Sequence, residues 1–405
     1  MRDWERIDRI RQALRAENHD ALVCALPSDV LLLTGYYPVI GNAIAVATKD
    51  GAIALLAPED ELDLAQNGSA DELHSFQPGS VEQLTTASIQ ITGPLRELLT
   101  KLELTGASIA YESAEFSQSA SYAALHLYGE TLLTALRSAL PLAALRPADE
   151  MLARLRAVKT PAEISRIRVA CAITKAAFAG GAASLQPGIL ETQAAELFRQ
   201  HLRTPPEGAG EILRAEGFAW CMGGANSAQA GAAYGLSRDY RLREGDLALI
   251  HCNSHADGYW TDVTRTFSLG EPDRQLRDIY EAVFNARAAA LAEIQPGVAA
   301  SQLDSAAREM LRARSFAQQF THPTGHEVGF GAIDHTARPR IHPKSPDVLE
   351  TGMVFNVEPA VYVEELGGVR QCDMVAVTEH GYELLTPFQT SLHDLVLSVS
   401  QVKAA

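Results

Sequence analysis

The sequence predicts an α/β N-terminal domain followed by an α+β C-terminal domain built from a duplicated half. Three observations lead there. Short apolar strands alternate with helical stretches over roughly the first 150 residues. A strong helix start follows at Thr160. Two short signatures then recur downstream in the same order. At roughly 150 residues per domain, 405 residues suggest about two or three domains. The boundary expected from Arg146-Pro147 divides the chain into 1–150 and 151–405.

The elements follow in order. Ile7, Ile10 and Leu14 recur at helical spacing and open the chain with a short amphipathic helix. Ala21 to Leu26 is a compact apolar run closed by Pro27-Ser28-Asp29, and reads as a buried strand. Ala43–Thr48 and Ala52–Ala57 flank Lys49-Asp50-Gly51, which predicts a hairpin. Ser108–Tyr111 reads as a further strand. Thr160-Pro161-Ala162-Glu163 places Thr at an N-cap, Pro at the first helical position and Glu three residues after the cap. Ile164, Ile167 and Cys171 then supply the apolar stripe of the helix that begins the second domain.

The repeat lies inside that domain. Leu185-Gln-Pro-Gly188 matches Ile294-Gln-Pro-Gly297, 109 residues on, and each lies between Ala-rich helical stretches. Gly245-Asp-Leu-Ala-Leu-Ile-His251 parallels Gly352-Met-Val-Phe-Asn-Val-Glu358, 107 residues on. That period is too long for a solenoid. It predicts two fused halves, each of helices followed by an antiparallel hairpin, with His251 and Glu358 as symmetry mates where the halves meet.

Composition narrows the function. Hydrophobic residues make up 47% and charged residues 21%, an ordinary globular balance that excludes collagenous, coiled-coil and wholly disordered chains. A net charge of −16 argues against nucleic acid or an anionic membrane as partner, because phosphate binding needs clustered Lys and Arg. The five cysteines, Cys24, Cys171, Cys221, Cys252 and Cys372, are odd in number and widely spaced, which is not a disulfide framework. No apolar h-region follows the charged start, and no run of about 18 apolar residues exists. The expectation is a cytoplasmic protein.

Four segments collect groups able to bind metal or carry protons: His251 to Thr266, His322 to Gly329, Val357-Glu358-Pro359 and Gly368 to Asp373. Taken singly, each residue has a plainer reading. Asp262 can pair with Arg265, and His326 can be a hydrogen-bonded core histidine. Asp, His and Glu arriving on different strands of a duplicated sheet is, however, how a metal site is assembled.

The ordered motifs resemble the pita-bread family of prolidase, aminopeptidase P, methionine aminopeptidase and creatinase. Arg156-Ala-Val-Lys159-Thr-Pro-Ala-Glu163 is similar to its domain-opening helix. Gly258-Tyr-Trp-Thr-Asp262-Val-Thr-Arg-Thr, Gly325-His326-Glu-Val-Gly329 and Gly352 to Pro359 are similar to its core motifs, in order. The resemblance spans about residues 150 to 390, and more loosely the N-terminal domain. It implies a pita-bread catalytic domain, a homodimer, and hydrolysis of a C–N bond in a small dipeptide-like or amide substrate.

In the family's peptidases two Asp, one His and two Glu hold two divalent ions. Position by position, Asp262, His326 and Glu358 match that set. His251 stands where the first Asp is expected, eleven residues before Asp262, and Cys372 stands where the last Glu is expected. The family set carries −4 against two dications. Here the set carries −2, or −3 with a Cys372 thiolate, and uncompensated charge in a desolvated cleft is costly. The resemblance therefore implies one divalent ion, zinc by its mixed N, O and S donors, or none, and weighs against a dinuclear Mn or Co centre. Without metal, histidine acid/base chemistry of the creatinase kind is the alternative, and a non-catalytic binding protein is the other. Glu358, His322 and His335 are the expected catalytic residues. Asp262, His326, Glu358, His251 and Cys372 are the expected metal ligands, and Tyr234 and Arg370 the expected substrate contacts. Cys372 is a nucleophile only if a cation such as Arg370 lowers its pKa; its plainer reading is a small buried residue.

Overall fold

The structure is a computed structural model that describes residues 2–39, 43–78, 86–113, 129–205, 207, 212–231, 237–333 and 337–398. The chain divides into two compact units, Met1–Arg156 and Ala157–Ala405.

The first unit is built on a six-stranded sheet. Its strands are β1 (Ala21–Cys24), β2 (Ile44–Thr48), β3 (Ile53–Pro58), β4 (Glu72–Phe76), β5 (Ser108–Tyr111) and β6 (Ala144–Pro147), in spatial order β4-β3-β2-β1-β5-β6. β2 and β3 form the expected antiparallel hairpin, Ala47 opposite Ile53. β1, β2 and β3 are buried along their whole length. Buried on both faces, they read in sequence as continuous apolar runs, with no alternation to betray a wet side. The helix Trp4–Ala16 buries Ile7, Ile10 and Leu14, and Asp3 caps it by accepting from the Arg6 N–H. Proline begins a helix at Pro27–Thr34, so the strand before it stops at Cys24.

The second unit opens on the helix Pro161–Ser184. Thr160 Oγ1 accepts from the Glu163 N–H at 3.2 Å and Glu163 Oε2 accepts from the Thr160 N–H at 2.8 Å, which completes the capping box. A five-stranded sheet follows: β7 (Ala215–Gly223), β8 (Leu247–Ala256), β9 (Tyr259–Trp260), β10 (Val263–Leu269) and, last in the chain, Val396–Leu397 beside β10. The second half contributes β11 (Val354–Val357), β12 (Ala360–Val363), β13 (Gly367–Arg370), β14 (Asp373–Thr378) and β15 (Gly381–Leu384). β11, β14 and β15 form one antiparallel sheet, and β12 pairs with β13. A bridge between Thr264 and Cys372 ties the two halves together, and another joins Glu327 to Phe355.

The duplication is visible in the backbone. Gly188 and Gly297 have φ of +95° and +88°, a conformation glycine adopts without strain. Their N–H groups donate to Leu242 and Leu349 at 2.7 and 2.8 Å. Each acceptor lies three residues before the glycine of the second signature, Gly245 or Gly352. The helices Arg274–Ala292 and Ala300–Ala313 flank the second turn, as Pro161–Ser184 and Glu191–Arg199 flank the first.

Candidate active site

β8 is buried throughout and carries His251. Antiparallel pairing with β10 sets Thr264 directly opposite His251. The short link between β9 and β10 then turns Asp262 toward the same point. His251 Nδ1 lies 2.9 Å from Thr264 Oγ1, 3.1 Å from Arg370 Nη2 and 3.6 Å from Asp262 Oδ1. A guanidinium only donates, so Nδ1 is an acceptor and the imidazole is neutral with its proton on Nε2. Burial pulls this histidine down to about 3; Asp262 opposes the shift and Arg370 reinforces it. The indole of Trp220 on β7 stacks on its ring, with centroids 5.0 Å apart and planes 10° apart.

His326 lies between Gly325 and Glu327 in a segment held against β11. Its Nδ1 is 2.9 Å from the Glu327 carbonyl oxygen, which places the proton there and leaves Nε2 as an acceptor. Nε2 lies 3.2 Å from Asp262 Oδ2 and 3.7 Å from Glu358 Oε1. Three acceptors facing one another repel unless a positive or donating group sits among them. Asn356 on β11 supplies that group. Its Nδ2 is 3.0 Å from His326 Nε2, 3.3 Å from Asp262 Oδ2 and 3.6 Å from Cys372 Sγ. Its Oδ1 accepts from the His326 backbone N–H at 2.7 Å, and that donor fixes which end of the amide is oxygen.

The remaining groups follow from the same frame. Arg265, fully buried, donates to Asp373 Oδ1 and to the Cys372 carbonyl, both at 2.6 Å, and Arg287 Nε donates to Asp373 Oδ2 at 2.5 Å. Arg265 thus pairs with Asp373 rather than Asp262, and it pins the turn that carries Cys372. The Cys372 thiol lies 3.3 Å from the Asp262 carbonyl oxygen, its acceptor. Burial, with Asp262 and Glu358, holds this thiol well above its ordinary pKa, so Cys372 is a neutral donor, in line with the plainer reading. Burial also works against ionisation of Asp262, but the positive charge of Arg370 and the polar groups around it outweigh this and keep the carboxyl below its usual range.

Glu358 differs from the others. Its Oε2 is buried and has no hydrogen-bond partner. Burial pushes the carboxyl up to about 7, against the pull of Arg370. His322 donates from Nδ1 to the Pro323 carbonyl at 2.8 Å and accepts at Nε2 from the Tyr362 hydroxyl at 2.9 Å. Arg370 Nη1 reaches the same hydroxyl at 3.4 Å, linking His322 to His251 through one guanidinium. Burial pulls His322 down to about 3, with Arg370 in the same direction. Tyr234 and His335 lie outside the described residues.

Whether this set suits a metal is a question of donor geometry. With bonds of about 2.0–2.3 Å, any two donors of one ion lie within roughly 4.6 Å of each other. Among the described residues, no three of His251, Asp262, His326, Glu358 and Cys372 bring a ligand atom each within 4.8 Å of one another; the group that does is Cys24, Asp29 and Glu112 in the first unit. Two of the five donors are neutral imidazoles and a third is a protonated thiol. Asp262 and Glu358 are the only carboxylates among the five. The residues present do not fit a dinuclear centre.

Sequence reading missed Asn356, Thr264 and Trp220. Asn356 did leave a signal: it is a polar residue inside the apolar strand Val354–Val357, two residues before Glu358 and so on the same side of an extended chain.

Comparison with known proteins agrees with this frame. Residues 165–379 match the model of metallopeptidase family M24, and residues 6–158 that of the creatinase/prolidase N-terminal domain. An uncharacterized peptidase, YqhT, of Bacillus subtilis is 27% identical over 381 residues, 94% of this chain and 97% of that protein. A Xaa-Pro dipeptidase of Pyrococcus furiosus is 27% identical over 394 residues, 96% of this chain and 99% of that protein. The solved prolidase from Pyrococcus furiosus superposes with a TM-score of 0.73 at 25% identity, over 94% of this chain and 99% of its own. No helix among the described residues is long and apolar enough to cross a membrane. With the family match covering more than half its length behind a creatinase-type N-terminal domain, the chain belongs to metallopeptidase family M24, a family of hydrolases that use divalent metal, and has its pita-bread fold.

Proposed function

We propose that the protein hydrolyses a peptide or amide C–N bond in a small, dipeptide-like substrate, with Glu358 as proton carrier and without a dinuclear metal centre. The relatives named Xaa-Pro dipeptidase and prolidase point to the substrate class. The observation that carries the reading is the state of the acceptor atoms. His251 Nδ1 is satisfied by Arg370, and His326 Nε2 and Asp262 Oδ2 by Asn356. Glu358 Oε2 is buried without a hydrogen-bond partner.

In the reaction, the water that attacks the carbonyl carbon gives a proton to Glu358 Oε2. The carboxyl returns that proton to the nitrogen as the C–N bond breaks, so the residue ends as it began. Arg370, placed by its contact with the Tyr362 hydroxyl, is the donor that holds the substrate's polar atoms. A single divalent ion, zinc by the character of the donors, enters this site only by displacing the Asn356 amide.

The test is turnover of a panel of Xaa-Pro dipeptides and small amides in the presence of EDTA. Wild-type turnover is expected to persist, and Glu358→Gln to lower kcat by about 10²–10⁴-fold. Turnover that vanishes in EDTA and returns with Mn²⁺, or that survives Glu358→Gln, overturns the reading.

A further inference from the structure

We propose that Asn356 is a built-in substitute for a metal ion: its amide nitrogen occupies the place between Asp262, His326 and Cys372 and keeps divalent cations out. The inference rests on the reading that the site works without a dinuclear centre, and goes on to name the residue responsible.

The geometry is specific. Nδ2 makes contacts of 3.0, 3.3 and 3.6 Å to an imidazole nitrogen, a carboxylate oxygen and a sulfur, atoms contributed by three separate segments. These are donor-to-acceptor lengths, longer than metal–ligand bonds of about 2.0–2.3 Å, so an ion in the place of the amide nitrogen would have to draw all three atoms inward. The orientation of the amide is fixed from outside the site. Oδ1 is committed to the His326 backbone N–H, and the backbone N–H of Asn356 donates to the His326 carbonyl at 3.0 Å. Rotation that turned Nδ2 away would break the 2.7 Å bond, so the amide is a rigid plug. Asn356, Asp262, His326 and Cys372 are all buried, and an amide brings two N–H donors with no net charge. It can therefore satisfy acceptors that carry only −1 between them, where an ion would have to be dehydrated and then left with incomplete ligation.

The isosteric change is the sharpest test. Asn356→Asp keeps the shape, replaces the donor by a third anionic oxygen, and leaves mutually repelling acceptors that only a cation can reconcile. Zn²⁺ and Mn²⁺ are titrated separately into full-length protein, with bound metal measured by elemental analysis after equilibrium dialysis and Tm followed in parallel. The wild type is expected to retain no stoichiometric ion and to show no shift in Tm. Asn356→Asp is expected to bind one ion per chain at least tenfold more tightly, with a Tm that rises on adding metal. The double variant Asn356→Asp/His326→Ala loses that gain. Asn356→Ser, which removes the plug without adding charge, guards against misfolding of the aspartate variant and is expected to gain affinity in the same direction.

An ion held one-to-one at micromolar affinity by the wild type overturns the proposal, as does the absence of any gain in both variants. Should neither variant fold, the wild-type titration decides: refusal of both ions supports the plug and binding defeats it. Failure here is separable from failure of the proposed reaction. EDTA-resistant turnover with no gain in metal affinity defeats the plug alone, whereas EDTA-sensitive turnover defeats the reaction scheme and leaves the variants' titration to be read on its own.

Discussion

Lys159 and Glu327 form an ion pair that is entirely shut off from solvent, each side chain 0% exposed. Lys159 immediately precedes the N-cap of Pro161–Ser184, and Glu327 follows His326 directly, so the pair fastens the first helix of the domain to the segment that carries a candidate site residue. The aromatic face of Phe330 lies 5.9 Å from the ammonium. The second carboxylate oxygen of Glu327 is buried without a hydrogen-bond partner. Replacing Lys159 by Met therefore strands a carboxylate that pairs with no other cation among the described residues. Removing one member of a buried pair costs about 3–5 kcal/mol, mostly from the charge left behind. With an m-value of about 3 kcal/mol/M for urea, the unfolding midpoint of this domain should fall by roughly 1 to 1.7 M. Trp220 and Trp260 both lie in the domain and report the transition by fluorescence. If the stranded charge is the cause, Lys159→Met/Glu327→Leu recovers most of the loss. A double variant as unstable as the single one, or a single variant within about 0.5 kcal/mol of wild type, would refute the reasoning.

Three further outcomes are expected. Gly325→Ala places a methyl group against the Asn356 carbonyl oxygen, so the strands must part and forfeit the backbone and side-chain bonds between His326 and Asn356. At about 1 kcal/mol per bond the loss is about 3 kcal/mol, read by urea denaturation, and an undisturbed midpoint contradicts it. Asp347 accepts two bonds from the Arg340 guanidinium at 2.8 Å; burial pushes its carboxyl up, but Arg340 outweighs this and holds it below the usual range. The folded pKa is depressed, so the stabilisation is present above the unfolded value of about 3.9 and disappears as pH falls through the folded value. Asp347→Asn should thus be about 2 kcal/mol less stable at pH 7 and draw level with wild type once the pH has fallen through the depressed folded value; a gap independent of pH would reject the linkage. Thr160→Ala removes half of the capping box, which should cost about 1 kcal/mol and lower Tm by about 2–4 °C in a scanning calorimeter.

Local order was legible in the sequence wherever it depends on neighbours along the chain. The capping box at Thr160, the hairpin around Lys49-Asp50-Gly51 and the recurring turn at Gly188 and Gly297 are settled by a few consecutive residues, and the structure has each where the sequence placed it. The strand expected at Ala21 to Leu26 ends two residues early, at Cys24, because Pro27 favours a helix start over continued extension. Partnerships across the fold left no such trace. Arg265 takes Asp373 instead of Asp262 because the Thr264–Cys372 bridge brings those segments side by side. Arg370, expected to meet substrate, is also engaged by Thr264, His251 and Tyr362. Counting charges among five ligands hinted at a shortage of negative charge. It did not reveal that an uncharged amide fills the gap, since nothing in the spacing of Asn356 says that three other segments arrive around its nitrogen.

The parallel stacking of Trp220 on His251 has a practical consequence. Indole emission responds to the charge of an imidazole lying flat against it, and to any cation that approaches that ring. Occupancy of the cleft can thus be followed by fluorescence with no label attached, once the emission of Trp260, which lies against His255, and of Trp4 on the surface, 65% exposed, is subtracted.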